Sequence, residues 1–196
     1  MIVSRPLDGI KVLDLSKVLA GPLCAQYLGD LGAEVIKVEA VGQGDETRGW
    51  PPFPAPGLGT VFLSANRNKR SIAINMKSDK GRKLVHTLAK SADVAIESFG
   101  TGVAERLGID AATLCALNDR LVHCSISGFG QDGPWAARPA FDEIIQAASG
   151  LASSIGSDDE PEFIPSLVGD KICAHAMVGA VSAALFRRER SGQGQM

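Results

Sequence analysis

The feature that most constrains this chain is a regular alternation of short β-rich runs with helix-patterned segments. "IKVLDLS" (10–16) is followed by "GPLCAQYLGDLGA" (21–33), with Pro22 near the first helical position, and then by "EVIKVEA" (34–40). The rhythm resumes with a strand at "RSIAINM" (70–76), a helix over "SDKGRKLVHTLAKSA" (78–92) and a strand "DVAIES" (93–98). A helix "DAATLCALN" (110–118), a strand "LVHCSISGF" (121–129) and a helix over "AFDEIIQAASGLASSI" (140–155) continue it. Parallel strands need crossovers and helices supply them, so the pattern predicts an α/β fold, an open and mostly parallel sheet with helices on both faces. At 196 residues, with 45% hydrophobic and 5% aromatic content, the chain suits one domain with a real core. "VGQGDETRGWPPFPAPGLGT" (41–60) is dense in Gly and Pro and predicts an irregular, functional-length loop; "GSDDEPE" (156–162) predicts a solvated one.

Several function classes lose support at this level. A net charge of -2 argues against nucleic-acid binding, which needs a broad basic surface. Cys24, Cys115, Cys124 and Cys173 form no C-x-x-C pair and lie in apolar stretches, which predicts reduced thiols, a cytoplasmic location and no thiol-bound metal. His86, His123 and His175 are scattered, so no metal site is expected. The N-terminus lacks a sustained apolar region and no long apolar span is evident, which predicts neither a signal peptide nor a membrane helix. The first β-α turn, "SKVLAGPL", lacks G-x-G-x-x-G, and the P-loop, H-E-x-x-H and G-x-S-x-G patterns are missing from the sequence.

Two stretches carry candidate chemistry. In "LVGDKICAHAMVGA" (167–180), Asp170 stands directly before an apolar run that predicts a buried helix from Lys171 to about Arg190, stopped at Gly192. As an N-cap, Asp170 would accept the orphan N–H groups of the first turn. As a carboxylate held ionised by the helix dipole in a pocket, it would be a preorganised nucleophile or base. The second stretch is the polar set "NRNKRS" (66–71), Lys77, "ESFGTG" (97–102) and Arg106, which could cradle a phosphorylated ligand at strand ends or form a solvated surface.

The ordered segments "PLDGIKVLDLSKVLAGPLCAQYLGDLGAEVIKVEA", "GDETRGWPPF", "NRNKRSIAINMKSDKGR", "ADVAIESFGTGVAERLGID", "SISGFGQDGPW", "FDEIIQAASGL" and "GDKICAHAMVGAVSAALFRRERSGQGQ" resemble the class III CoA-transferase (CaiB/BaiF) family over nearly the whole chain. The resemblance implies a Rossmann-like large domain, of which residues 1–196 are the N-terminal part, with the family's second domain lying beyond them. It further implies a CoA-transferase that moves CoA between an acyl-CoA thioester and a small carboxylic acid. Coenzyme A is then a substrate rather than a tightly bound cofactor, and full-length members are interlocked homodimers.

By the same resemblance Asp170 is the nucleophile. The CoA site is formed by Leu19 and Ala20, by Ile74, Asn75, Met76 and Lys77, by Ser98, Phe99 and Gly100, by Arg106, and by Pro139, Ala140, Phe141 and Asp142. Lys77 and Arg106 are the implied phosphate partners. The chain departs from the family in three ways. Ser98 stands where the family has Asn, Leu19 replaces the Gln of the formyl-CoA branch, and the small domain's glycine-rich loop lies outside these residues. The second departure points away from formyl or oxalate. An α-methylacyl-CoA racemase of the same family is the alternative, but its "GHD" His position holds Phe141. A non-catalytic acyl-CoA-binding fragment is the third reading.

Overall fold

A computed structural model describes residues 4–196; the first three residues of the N-terminal stretch lie outside the described residues. Five parallel strands, β1 (Lys11–Asp14), β2 (Glu34–Glu39), β3 (Lys69–Ala73), β4 (Val94–Glu97) and β5 (Val122–Ser125), form one sheet in the order β3-β2-β1-β4-β5. Every pairing is parallel. The strand order reverses between β1 and β4, and such a switch point opens a crevice beyond the carboxyl ends of the two strands.

Alternation along each strand builds two cores. On one face Val12, Val94, Ile96 and Val122 meet α1 (Ala20–Asp30) and the long α8 (Val168–Ser191), through Leu23, Leu28, Val181 and Leu185. On the other, Leu13, Leu15 and Ala95 meet α3 (Asp79–Ala89), α4 (Val103–Leu107) and α5 (Ala111–Leu117), through Val85, Ala89, Ala104 and Leu114. Helices therefore cover both faces, and period-2 burial explains why the strands read as apolar runs.

The structure departs from the sequence reading in the 41–60 loop, the 140–155 helix and α8. The 41–60 excursion contains a 3-10 turn at Glu46–Gly49, capped by Asp45, and its end opens a short helix, α2 (Thr60–Ala65). The helix expected over 140–155 is two, α6 (Asp142–Ala148) and α7 (Leu151–Ile155), because Gly150 takes a left-handed conformation at φ 80 and redirects the chain. Helix α8 starts three residues early, which moves Asp170 from the cap into the first turn behind Leu167. Nor is α8 buried all round. Ala174, Val181, Ala184 and Leu185 face the core, while Ile172 and Phe186 stand exposed. By length and composition α8 could cross a bilayer, contrary to the reading that the chain has no such span; in the fold it lies along α1 and ends with Arg188 buried against Asp93.

Candidate functional site

The carboxyl ends of β1, β2 and β4 open into a cleft of about 810 Å³ lined by Ser16, Lys17, Lys37, Glu39, Asp45, Ile74, Asn75, Met76, Lys77 and Phe99, among others. Its floor is ionic. Lys37, 1% exposed, lies 3.0 Å from Asp45 and 3.9 Å from Asp14, and donates to the Ser16 carbonyl at 2.9 Å. Lys69 reaches Asp14 at 2.8 Å and also donates to the Pro22 carbonyl and to Asn66 Oδ1. Burial alone would raise the Asp14 carboxyl, but the two ammonium groups outweigh it and hold the group below its usual range. Glu39 is treated alike: burial is overcome by a bidentate Arg48, by Ser71 and by the Asp45 N–H, which bring it to about 2.

The turn from β1 to α1 forms the cleft's inner rim. Val18 there has φ 68, a left-handed conformation that a β-branched residue rarely adopts. Ser98, at the end of β4, braces this turn: its Oγ accepts from Lys17 N at 3.1 Å and donates to the Lys17 carbonyl at 3.3 Å. The serine found where the family has Asn is thus engaged in holding the rim.

The predicted site residues separate into groups. Ile74, Asn75, Met76, Lys77 and Phe99 line the cleft together. Gly100 borders a neighbouring cavity of about 710 Å³ between β4, β5 and the 193–196 segment, which Phe99 also lines. Leu19 is buried in the core beside α1, and Ala20 begins that helix. Arg106 lies in the last turn of α4 and, with Lys77, makes no ion pair among the described residues, which leaves both cations available to an anionic ligand. Most of "NRNKRS" is already committed: Arg67 and Asn68 to Asp30, Lys69 to Asp14, Arg70 to Glu34 and Ser71 to Glu39. Those residues hold β3 in place instead of facing a ligand.

Asp170 and residues 139–142 do not line the cleft. Pro139, Ala140 and Phe141 are exposed. Asp142 turns inward, 4% exposed, and accepts the Asp170 N–H on Oδ1 at 2.9 Å. Gln146, one helical turn on and 1% exposed, donates to Asp142 Oδ2 at 2.7 Å. Burial, then the charges of Asp142 and Glu143, push the Asp170 carboxyl up to about 6. The carboxyl thus lies above its ordinary value and not below it as a helix N-terminus alone would place it, because desolvation and two like charges outweigh the dipole.

Sequence reasoning did not single out Gln146, Lys37 or Asp14. The signal for Lys37 was a lone cation inside the apolar run "EVIKVE", which in a sheet covered on both faces must be neutralised. For Gln146 it was the i, i+4 spacing from Asp142.

With this geometry established, comparison with known proteins is specific. The profile of CoA-transferase family III matches residues 7–196. Human succinyl-CoA:glutarate CoA-transferase is 41% identical over 97% of this chain and 44% of its own length. The succinate–glutarate CoA-transferase of Agrobacterium fabrum is 43% identical over 97% of this chain and 49% of its own. A crystal structure of a CaiB/BaiF family protein from Brucella suis superposes with a TM-score of 0.93 at 42% identity, covering 98% of this chain and 52% of that one. The chain spans about half the length of the curated relatives it matches. On sequence and fold together, the chain belongs to CoA-transferase family III.

Proposed function

We propose that this chain carries the acyl-CoA cleft and the nucleophile of a CoA-transferase that exchanges CoA between an acyl-CoA thioester and a carboxylic acid. The observation that carries the reading is Asp170. Its carboxyl sits in the first turn of a long helix, partly desolvated, with its proton affinity raised only to about 6. At neutral pH it is mostly ionised yet half-buried, a state that suits a carboxylate nucleophile.

The reaction balances without an external acid or base. An Asp170 carboxylate oxygen attacks the thioester carbonyl, the C–S bond breaks, and CoA thiolate leaves an acyl-aspartyl anhydride. The thiolate attacks the Asp170 carbonyl, expels the acyl group as its carboxylate and forms an aspartyl-CoA thioester. An incoming carboxylate repeats the two steps in reverse order and departs as its CoA thioester, restoring Asp170. Lys77 and Arg106 take the phosphates of CoA, while Ile74, Met76 and Phe99 supply apolar contacts.

The relatives named above exchange succinate and glutarate, so succinyl-CoA with glutarate is the first donor and acceptor to try. The full-length polypeptide is expected to be a dimer. In such a polypeptide, Asp170→Ala abolishes exchange of labelled glutarate into the CoA pool while CoA still binds; exchange at the wild-type rate would overturn the assignment. A carboxyl near 6 would also suit a base that removes an α-proton, the racemase alternative. Solvent deuterium entering a 2-methylacyl-CoA without CoA exchange would favour it.

A further inference from the structure

We propose that Asp142, locked by Gln146, is the positioning residue of the nucleophile: it caps helix α8 from another helix and fixes the backbone of Asp170. The inference rests on the reading of Asp170 as nucleophile for its functional meaning, but its geometry stands alone.

Helix α6 is built inside out. Its polar residues Asp142 and Gln146 are almost wholly buried, while apolar Ile144 and the preceding Phe141 are exposed at 39% and 60%. Burying a carboxylate and an amide is costly unless each is bonded, and here both are. The Gln146 amide nitrogen donates to Asp142 Oδ2 and to the carbonyls of Ile164 and Ser166, and its Oε1 accepts the Ile164 N–H at 2.9 Å. That amide therefore ties α6 to the strand of chain leading into α8. The other oxygen of Asp142 accepts the Asp170 N–H.

Helix α8 needs such a partner. Helices α3 and α5 begin with their own side-chain caps, Ser78 and Asp110, whereas the α8 cap position is Leu167, which offers none. Gly169 makes the foreign cap fit. A Cβ there would stand 3.1 Å from Asp142 Oδ1, so a side chain at 169 requires the carboxylate, which Gln146 holds in place, to give by a few tenths of an ångström. The Gly-Asp pair thus has a mechanical sense: the glycine admits the cap and the aspartate receives it.

The arrangement also sets the charge around the nucleophile. Asp142 and Glu143 face it from α6, and Cys173 follows it on its own helix. Lys171 turns away to Ser166 Oγ at 2.7 Å. The titratable groups of the other elements packed on α8 are Cys24 and Tyr27 on α1, with Tyr27 against His175, and Cys124 on β5. Among the described residues no cation pairs with Asp170, so Asp142 both holds and repels it.

The test compares Asp142→Asn with Gly169→Ala. Asp142→Asn keeps an oxygen for the Asp170 N–H but removes the charge, and its own amide N–H group then faces that of Gln146, whose other bonds to Ile164 and Ser166 keep it from turning over. The Asp170 carboxyl, followed by carbon NMR of labelled aspartate across pH 4–8, should then lose its proton at a pH lower by about one unit, a tenfold change in proton affinity. Gly169→Ala should speed amide exchange at Asp170 about tenfold or more without moving the core amides of β1 and β4. A titration unchanged in Asp142→Asn, or first-turn exchange unchanged in Gly169→Ala, would overturn the positioning role. Should Asp142→Asn fail to fold, the Gly169 exchange decides alone. If the titration moves but no covalent CoA adduct ever forms on Asp170, the positioning role stands and the transferase reading fails. An adduct formed with an unmoved titration gives the converse.

Discussion

Two clusters of buried or partly buried carboxylates in this molecule have surroundings that are opposite in sign. Beneath the cleft, Asp14, Asp45 and Glu39 are each matched by Lys37, Lys69 or Arg48. At the α6–α8 junction, Asp142 and Asp170 share a hydrogen-bond network with no cation, and Glu143 adds a third negative charge. The first arrangement compensates its charges, and the Asp14 and Glu39 carboxyls fall in pKa; the second does not, and Asp170 rises. Compensated burial builds a rigid floor, while uncompensated burial stores free energy on a group that can release it by reacting.

The contrast is broken most forcefully by removing one cation from the floor. Lys69→Met leaves Asp14 buried with only the more distant Lys37, and should cost about 3–5 kcal/mol in urea unfolding. A loss near zero would mean that the floor is not held by charge pairing. Glu39→Gln should cost about 2 kcal/mol at pH 7, since it weakens a bidentate bond to Arg48. The folded-state carboxyl lies near 2 and its ordinary value is 4.5, so the stabilisation is whole above pH 4.5 and fades as pH falls toward 2. The wild-type advantage over the variant should shrink through that window.

Asp170 carries the reverse sign. Its folded value near 6 exceeds the ordinary 3.8, so the native state holds more protons between those values and stability falls as pH rises through them. Asp170→Asn should therefore stabilise the fold above pH 6, by roughly 1–2 kcal/mol after allowing for solvent access, and change little below pH 4. Thermal unfolding at pH 4 and 8 measures the difference. Ser98→Ala sharpens the comparison at the rim, removing two bonds to Lys17 at a cost of about 1 kcal/mol or less. CoA affinity should drop with it if the Val18 turn depends on that brace.

Much of the fold was legible because strand burial on both faces and helix periodicity leave strong marks, as in "EVIKVEA" and "KGRKLVHTLA". The break at Gly150 was less so, since an isolated glycine within an apolar helical pattern is often tolerated. Ile74 to Lys77 and Phe99 share one cleft, whereas the other site residues that the resemblance implied are not part of its lining. The role of Asp142 could not be read in advance. It depends on a contact between positions 28 residues apart, and no periodicity records which of two acidic residues is turned inward. Local spacing shows what a residue can do, whereas tertiary contact decides which neighbour it does it to.

The most direct test of the central claim is intact-protein mass spectrometry after mixing with succinyl-CoA, trapping with hydroxylamine or borohydride, and mapping the modified peptide. The account predicts modification on Asp170, rising between pH 5 and 7 with the ionised fraction of a group titrating near 6. Binding of CoA with no modification of Asp170 at any pH would contradict it.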